Sequence, residues 1–351
     1  MHPERAQLLQ RLFSDGIPKL WCPTLTHYEG DGSLNASRIA AHLAHLSPYV
    51  KGILVPGSTG DGWELSDAET RRLLEIVLEQ AQKFKVHVLI GALKPDAQGT
   101  LQMIRQTMDW LKSLTNERDP ERALSTARVC GFTVCAPRGK ELGQDEIERA
   151  LSSVLELGLP MAVYQLPQIT QNEISAGVAT KLARQFTNFI LFKDSSGADR
   201  VVQSGEDLEG TFTMRGAEGN YARWLKTGGG PYDGFLLSTA NCFAPQLWQM
   251  TDHLTAGRAH EAQKLSELVT AVINAVFRIV KDLPDGNPFT NANKVMDHFF
   301  AHGRRAGEMP SPRLHSGHHL PANVMAATES VLAQHGLLSA EGYLRRNPND
   351  E

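Results

Sequence analysis

Residues 189–197 read Phe189-Ile190-Leu191-Phe192-Lys193-Asp194-Ser195-Ser196-Gly197: four apolar side chains, a lysine, then a polar turn. A continuous apolar run of this length is what a parallel strand buried on both faces requires. Working outward from residues 189–193, similar short runs rich in Val, Ile, Leu and Phe recur at 19–24, 52–55, 86–90, 131–135, 161–164, 212–215 and 234–238, which makes eight. The segments between them have helical periodicity. Ser66-x-x-Glu69 is a capping box, and Leu73, Leu74, Val77, Leu78 and Ala81 follow at helical spacing, so a helix starts near Asp67. Eight strand and helix units in succession predict an α/β fold, the TIM (β/α)8 barrel. After the eighth run, Ala262, Leu265, Leu268, Val269, Val272, Ile273, Val276, Phe277 and Val280 form a sustained helical stripe that opens a C-terminal helical extension. The expected organisation is a barrel with an N-terminal helix over residues 1–257 and the extension over 258–351, with a Pro-rich loop at 309–321 inside the extension.

The 351 residues are 41% hydrophobic and 21% charged, ordinary values that exclude a disordered or low-complexity chain. Net charge is -4, and no dense Lys/Arg block with interleaved aromatics occurs, so neither nucleic acid nor an anionic membrane is an expected partner. No apolar stretch reaches the roughly 18 residues of a membrane span. Residues 1–13 lack the pattern of a secretory signal; Leu8, Leu9, Leu12 and Phe13 suggest a docking helix in a cytoplasmic protein. Cys22, Cys130, Cys135 and Cys242 are scattered, with no CxxC pair, and read as reduced, partly buried core residues. The charged stretch 114–128, with Asp119-Pro120, reads as a long surface excursion.

In a barrel, chemistry concentrates where strands end. Those positions here are Thr24, Gly57-Ser58-Thr59-Gly60, Tyr164, Lys193, Gly216 and Ser238. A lysine in an apolar barrel mouth loses solvation of its charged form, and its neutral amine can form a Schiff base with a carbonyl; the alternative is a strand-end lysine that snorkels to water. Tyr164 is either a proton carrier or an aromatic anchor at the rim. The Gly57–Gly60 turn, with two hydroxyls and backbone N–H groups, suits a carboxylate, though such turns are also common structural devices.

Taken together, several stretches resemble the superfamily of dihydrodipicolinate synthase and N-acetylneuraminate lyase, class I aldolases on a TIM barrel with a C-terminal helical extension. They are Pro23-Thr24, GSTGDGWELSDAE from Gly57 to Glu69, VYQLPQIT from Val163 to Thr170, FKDSSG from Phe192 to Gly197, and Asn287-Pro288 through Lys294. The resemblance implies Lys193 as the Schiff-base lysine, Tyr164 as the proton-relay tyrosine, and Ser58 and Thr59 as carboxylate binders. It also implies a homotetramer or homodimer. By the same resemblance, Gly216, Glu218 and Ser238 stand where the lyases hold sugar hydroxyls, Glu218 being otherwise a solvated loop residue. Three departures stand out. Arg138 follows Pro137 where the synthases resemble one another in having a relay tyrosine, Ile169 stands where they have a carboxylate-binding arginine, and the stretch 114–128 is long. Trp63 reads equally as a wall of the second-substrate pocket or as a cover of the rim. His315, His318 and His319 lie in the Pro-rich loop without paired carboxylates, so no metal is expected there.

The reaction implied is aldol cleavage or condensation between pyruvate, or a related 2-oxo acid, and a neutral, possibly hydroxylated aldehyde, through an imine on Lys193 and without metal or organic cofactor. The alternatives are dihydrodipicolinate synthase itself (pyruvate plus aspartate semialdehyde), a 2-oxo-acid dehydratase of the same family, and a non-catalytic 2-oxo-acid-binding protein.

Overall fold

In the computed structural model, which describes residues 2–345, the eight apolar runs become β1 (Leu20–Pro23), β2 (Gly52–Val55), β3 (His87–Gly91), β4 (Val129–Cys135), β5 (Met161–Gln165), β6 (Phe189–Asp194), β7 (Phe212–Arg215) and β8 (Gly234–Leu236). All neighbouring pairs are parallel and β8 closes onto β1, so the sheet is the expected TIM barrel. Each strand end falls within two residues of its expected position. The capping box is present as read: Ser66 accepts from the Glu69 amide and opens the helix Asp67–Phe84.

Strand alternation divides the core. One set of side chains, including Ile53, Val88, Phe132, Val163 and Phe192, meets the surrounding helices, and the other fills the barrel. The lower interior is packed by Trp21, Leu54, Leu89, Cys130, Ala162, Leu191, Met214 and Leu236. Trp21 is fully buried, and a Cβ on Gly52 would lie 2.2 Å from its ring, so the glycine makes room for the indole. The helix Pro3–Leu12 closes this end with Leu9 and Phe13 as expected. Sequence reading missed its polar anchor. Arg5 is fully buried and donates to the carbonyl oxygens of Phe189, Glu209, Ala183 and Phe186. Such saturation is what a buried guanidinium requires.

The expected surface excursion at 114–128 is mostly exposed and largely helical. The helix Ala97–Thr115 runs into it, Asn116 ends that helix in the left-handed conformation, and a second helix, Pro120–Thr126, follows with Ala123 and Leu124 buried. Asp119-Pro120 is its N-cap and first helical residue, with Asp119 Oδ1 accepting from Arg122 N at 2.9 Å. Two buried side chains are too few to produce a periodic signal.

The helices Ala259–Val280, Pro288–His302 and Ala322–Gln334 form the C-terminal extension, with residues 309–321 looping between the last two. Met1 and residues 346–351, part of the expected helix and extension, lie outside the described residues. Arg38, on the helix Ala36–Leu46, pairs with buried Asp297 of the extension, which also accepts from Tyr343 at 2.7 Å. Arg38, His42 and His27 hold the Asp297 carboxyl well below the usual range against the opposing effect of burial. Closer to the barrel mouth, Thr290 Oγ1 donates to the Ser58 and Thr59 carbonyls, Asn287 Nδ2 donates to Ser58 O, and Lys294 pairs with Asp61 at 3.2 Å. The extension thus fixes the turn that follows β2. Among the described residues no helix is long and apolar enough to cross a membrane, and all four cysteines are free and buried.

Candidate active site

Strand register brings Cys135, Tyr164 and Lys193 to one level on β4, β5 and β6: Cys135 is opposite Tyr164, and Tyr164 opposite Lys193. Lys193 is 3% exposed, and its Nζ lies 3.8 Å from the centre of the Tyr164 ring. No carboxylate lies in ion-pair contact with it among the described residues, unlike Lys294 beside Asp61. Burial therefore dominates and lowers the Lys193 pKa to about 7, although Cys135, Glu218 and Cys22 pull the other way. A large fraction of this amine is neutral near pH 7, and neutral amine is the nucleophile toward a carbonyl.

Glycine at position 216 is dictated by this arrangement. A Cβ there would lie 2.1 Å from Ser195 Oγ and 2.7 Å from Lys193 Cε. Ser195 and Ser58 lie near the Tyr164 hydroxyl and favour its ionised form, while burial raises its pKa more strongly. Ser195 was not singled out from sequence. It stands two residues after Lys193, so strand parity places both on the same face.

Ser58–Gly60 forms a single 3-10 turn at the end of β2. Among the described residues the Ser58 and Thr59 amides donate to no protein carbonyl, so two N–H groups are available at the end of β2. Trp63 Nε1 donates to Ser58 Oγ at 2.9 Å, and its ring, with Ile169, packs on Leu93, Cys135, Tyr164 and Leu166. The side of the mouth around β4 and β5, next to the lysine, is thus largely apolar. Ile169 contributes to it, and the Arg138 guanidinium carbon lies 5.6 Å from the centre of the Trp63 ring on the outer side. Cys135 stands at the level of Tyr164 and Lys193; burial pushes its thiol up to about 12, so it stays protonated.

The strand-seven and strand-eight positions are arranged differently. Glu218 is no solvated loop residue: Ser238 Oγ (2.6 Å), the Thr239 amide (3.1 Å), Thr239 Oγ1 (2.5 Å) and Tyr221 OH (2.9 Å) all donate to its carboxylate. These four bonds occupy the carboxylate's lone-pair positions and tie the β7 loop to the loop after β8. Ser238 spends its proton on Glu218, so Ser238 can meet a ligand only as an acceptor while that bond stands. Thr239 and Tyr221, the other donors, carried no signal in sequence. His315, His318 and His319 do not converge: they meet Glu69, Asp285 and the Ser311 carbonyl respectively. Among the described residues no cluster of three or more His, Cys, Asp or Glu is placed to hold a metal ion. A cavity of about 610 Å³ lies away from the barrel mouth, between the helix starting at Ala36, the helix Pro288–His302 and the loop at 309–313.

A parallel eight-stranded barrel with a desolvated lysine and a tyrosine at the C-terminal ends of adjacent strands defines a class of protein, and comparison with known proteins agrees. The Dihydrodipicolinate synthetase family profile matches residues 131–284, from β4 into the first helix of the extension. An uncharacterized DapA-like lyase of Rhizobium meliloti is 25% identical over 305 residues, 85% of this chain and 89% of that protein. Among solved structures, a monomeric dihydrodipicolinate synthase variant covers 91% of this chain and 97% of its own at a TM-score of 0.71 and 17% identity. The prophage protein YagE of E. coli K12, in complex with pyruvate, covers 91% and 98% at a TM-score of 0.70 and 18% identity. The comparisons thus place residues 131–284 with the Dihydrodipicolinate synthetase family and show that the whole chain is similar to its lyases and shares their fold.

Proposed function

We propose that this protein is a class I lyase or aldolase in which Lys193 forms an imine with pyruvate or a related 2-oxo acid. The observation that carries the reading is the desolvated Lys193 amine, with a pKa near 7, facing Tyr164. The free amides of Ser58 and Thr59 would receive the 2-oxo-acid carboxylate, a buried carboxylate being acceptable only where donors meet it. Tyr164 then gives its proton to the carbinolamine oxygen, which leaves as water, and the phenolate so formed takes a proton from C3 of the imine. The electron pair of that C–H bond becomes the C2–C3 double bond of the enamine as the iminium nitrogen accepts electrons. The enamine adds to the aldehyde carbonyl, and the reverse sequence cleaves the aldol. No metal or organic cofactor enters this scheme. The pyruvate-bound YagE structure supports a 2-oxo acid as ligand of this fold.

The second substrate in this reading is a neutral aldehyde, because Ile169 and its apolar neighbours offer no partner to a second carboxylate. Arg138 favours a second reading. Its guanidinium sits at the mouth beside Trp63 and, if it swings inward, offers a cation to aspartate semialdehyde, the substrate of dihydrodipicolinate synthase. We further place the protein in the cytoplasm, with its four unpaired cysteines supporting a reducing compartment, as a homodimer or homotetramer. The functional test is incubation with pyruvate followed by borohydride and intact-mass measurement. A pyruvate-sized increment absent from Lys193→Ala is expected; no increment with any common 2-oxo acid overturns the reading.

A further inference from the structure

Position 138, after Pro137, carries arginine in place of a relay tyrosine, yet Tyr164 still has to pass through an anionic state during the chemistry proposed above. Burial opposes that anion. Trp63 supplies a physical answer. Its indole N–H is a donor and never an acceptor, and it points at Ser58 Oγ at 2.9 Å. One lone pair of Ser58 is therefore occupied, and the serine cannot use that lone pair to accept the Tyr164 proton. Its own proton is free to turn outward, and the nearby Tyr164 hydroxyl is the group it faces in its effect on ionisation. A hydroxyl that accepts a hydrogen bond also donates a stronger one, because successive bonds polarise each other. The indole is not free to swing away: its ring packs on Leu93, Cys135, Tyr164 and Leu166, and Arg138 covers it from outside.

We infer that Trp63 is a positioning residue whose indole N–H orients the Ser58 hydroxyl as a donor toward Tyr164, so that Ser58 and Ser195 together hold the transient Tyr164 phenolate. The inference rests on the imine chemistry of Lys193. The proton balance is closed: Tyr164 loses a proton to the departing carbinolamine oxygen and regains one from C3 of the imine, while the Ser58 and Trp63 protons stay on their own atoms and stabilise the intermediate charge. Without the indole N–H both Ser58 lone pairs are open to the Tyr164 proton instead of one, and the Ser58 O–H is a weaker donor, which favours the neutral phenol and slows both steps.

The test needs no aldehyde. Exchange of the pyruvate methyl protons in D2O, followed by proton NMR, reports enamine formation directly. Trp63→Phe keeps an aromatic ring and removes the N–H; replacement of Trp63 by benzothienylalanine keeps the two-ring shape with sulfur for N–H and controls for packing. Both should slow exchange about fivefold to tenfold, the size of one neutral hydrogen bond, while the borohydride-trapped adduct still forms. In a Ser58→Ala background the same replacements should change the rate by less than about twofold, because Trp63 acts through Ser58. Exchange at the wild-type rate in the benzothienylalanine protein overturns the inference, and so does an equal loss in the Ser58→Ala background. Absence of both adduct and exchange in the wild type overturns the imine reading itself, and the role of Trp63 with it.

Discussion

Lys193 and Tyr164 are direct register partners on adjacent parallel strands, with the amine nitrogen 3.8 Å from the centre of the phenol ring. A cation over an aromatic face is usually stabilised there, by about 1 to 2 kcal/mol when desolvated. Loss of hydration outweighs this at Lys193, whose pKa falls to about 7. Tyr164 thus faces an amine that alternates between neutral and charged forms near pH 7.

Imine formation should follow that ionisation. With a pKa near 7 the neutral fraction rises roughly tenfold between pH 6 and 8 and then levels off. The initial rate of borohydride-trapped adduct formation at limiting pyruvate, measured by mass from pH 5.5 to 9.5, should show that plateau. A rate still climbing a decade per pH unit above pH 8 would indicate an ordinary, solvated lysine. The depressed pKa has a second consequence. Below about pH 7 the folded chain carries the whole cost of a buried charge, and as pH rises from there toward the unfolded value of 10.5 that cost is relieved. Lys193→Met should therefore raise the Tm more at pH 6 than at pH 10.

Tyr164→Phe keeps the ring beside the amine and removes the proton carrier. Turnover, and pyruvate methyl exchange with it, should fall by about 100-fold or more while the borohydride adduct still forms at saturating pyruvate. Unchanged turnover would reassign Tyr164 to packing.

Gly216→Ala tests the crowding around the lysine. The new Cβ would overlap Ser195 Oγ and crowd Lys193 Cε, so adduct formation should slow by about 10-fold or more with the far-UV circular dichroism of the barrel retained. Normal adduct kinetics would show that both side chains have room to move aside.

The barrel was legible in the sequence because each strand is buried on both faces, and such strands are continuous apolar runs that stand out one by one. The helix Pro120–Thr126 was not, because only Ala123 and Leu124 are buried and its start, Asp119-Pro120, looks like any turn. The same contrast holds at the site. Lys193, Tyr164 and the Ser58–Thr59 turn announce themselves as polar residues closing apolar runs. The surroundings of Ser195 and Glu218 depend on side chains meeting across strands: Glu218 is bound by Ser238 and Thr239 from the loop after β8, and no spacing along the chain encodes that. Arg5 illustrates the same point at the opposite end of the barrel, where four carbonyls from separate residues make burial of a guanidinium acceptable.

The aldehyde preference separates the two functional readings. In wild type, kcat/KM for condensation with pyruvate should be higher for neutral aldehydes than for aspartate semialdehyde. Ile169→Arg should shift the ratio toward aspartate semialdehyde by about 30-fold, the worth of one charge-assisted bidentate contact of about 2 kcal/mol. Wild-type efficiency highest with aspartate semialdehyde would favour the dihydrodipicolinate synthase reading and give Arg138 the carboxylate.

The central claim is that Lys193 is the amine that bonds to the substrate carbon. Its most direct test is peptide mapping of the wild-type chain after treatment with pyruvate and borohydride, with the buried Lys294 as internal control. The Lys294 pKa is also lowered by burial, but Asp61 at 3.2 Å opposes that shift by pairing with the charged form. A single reduced pyruvate adduct on the peptide containing Lys193, with none on Lys294, is the expected result. An adduct confined to Lys294 or to surface lysines, with the Lys193 peptide unmodified, would contradict the claim.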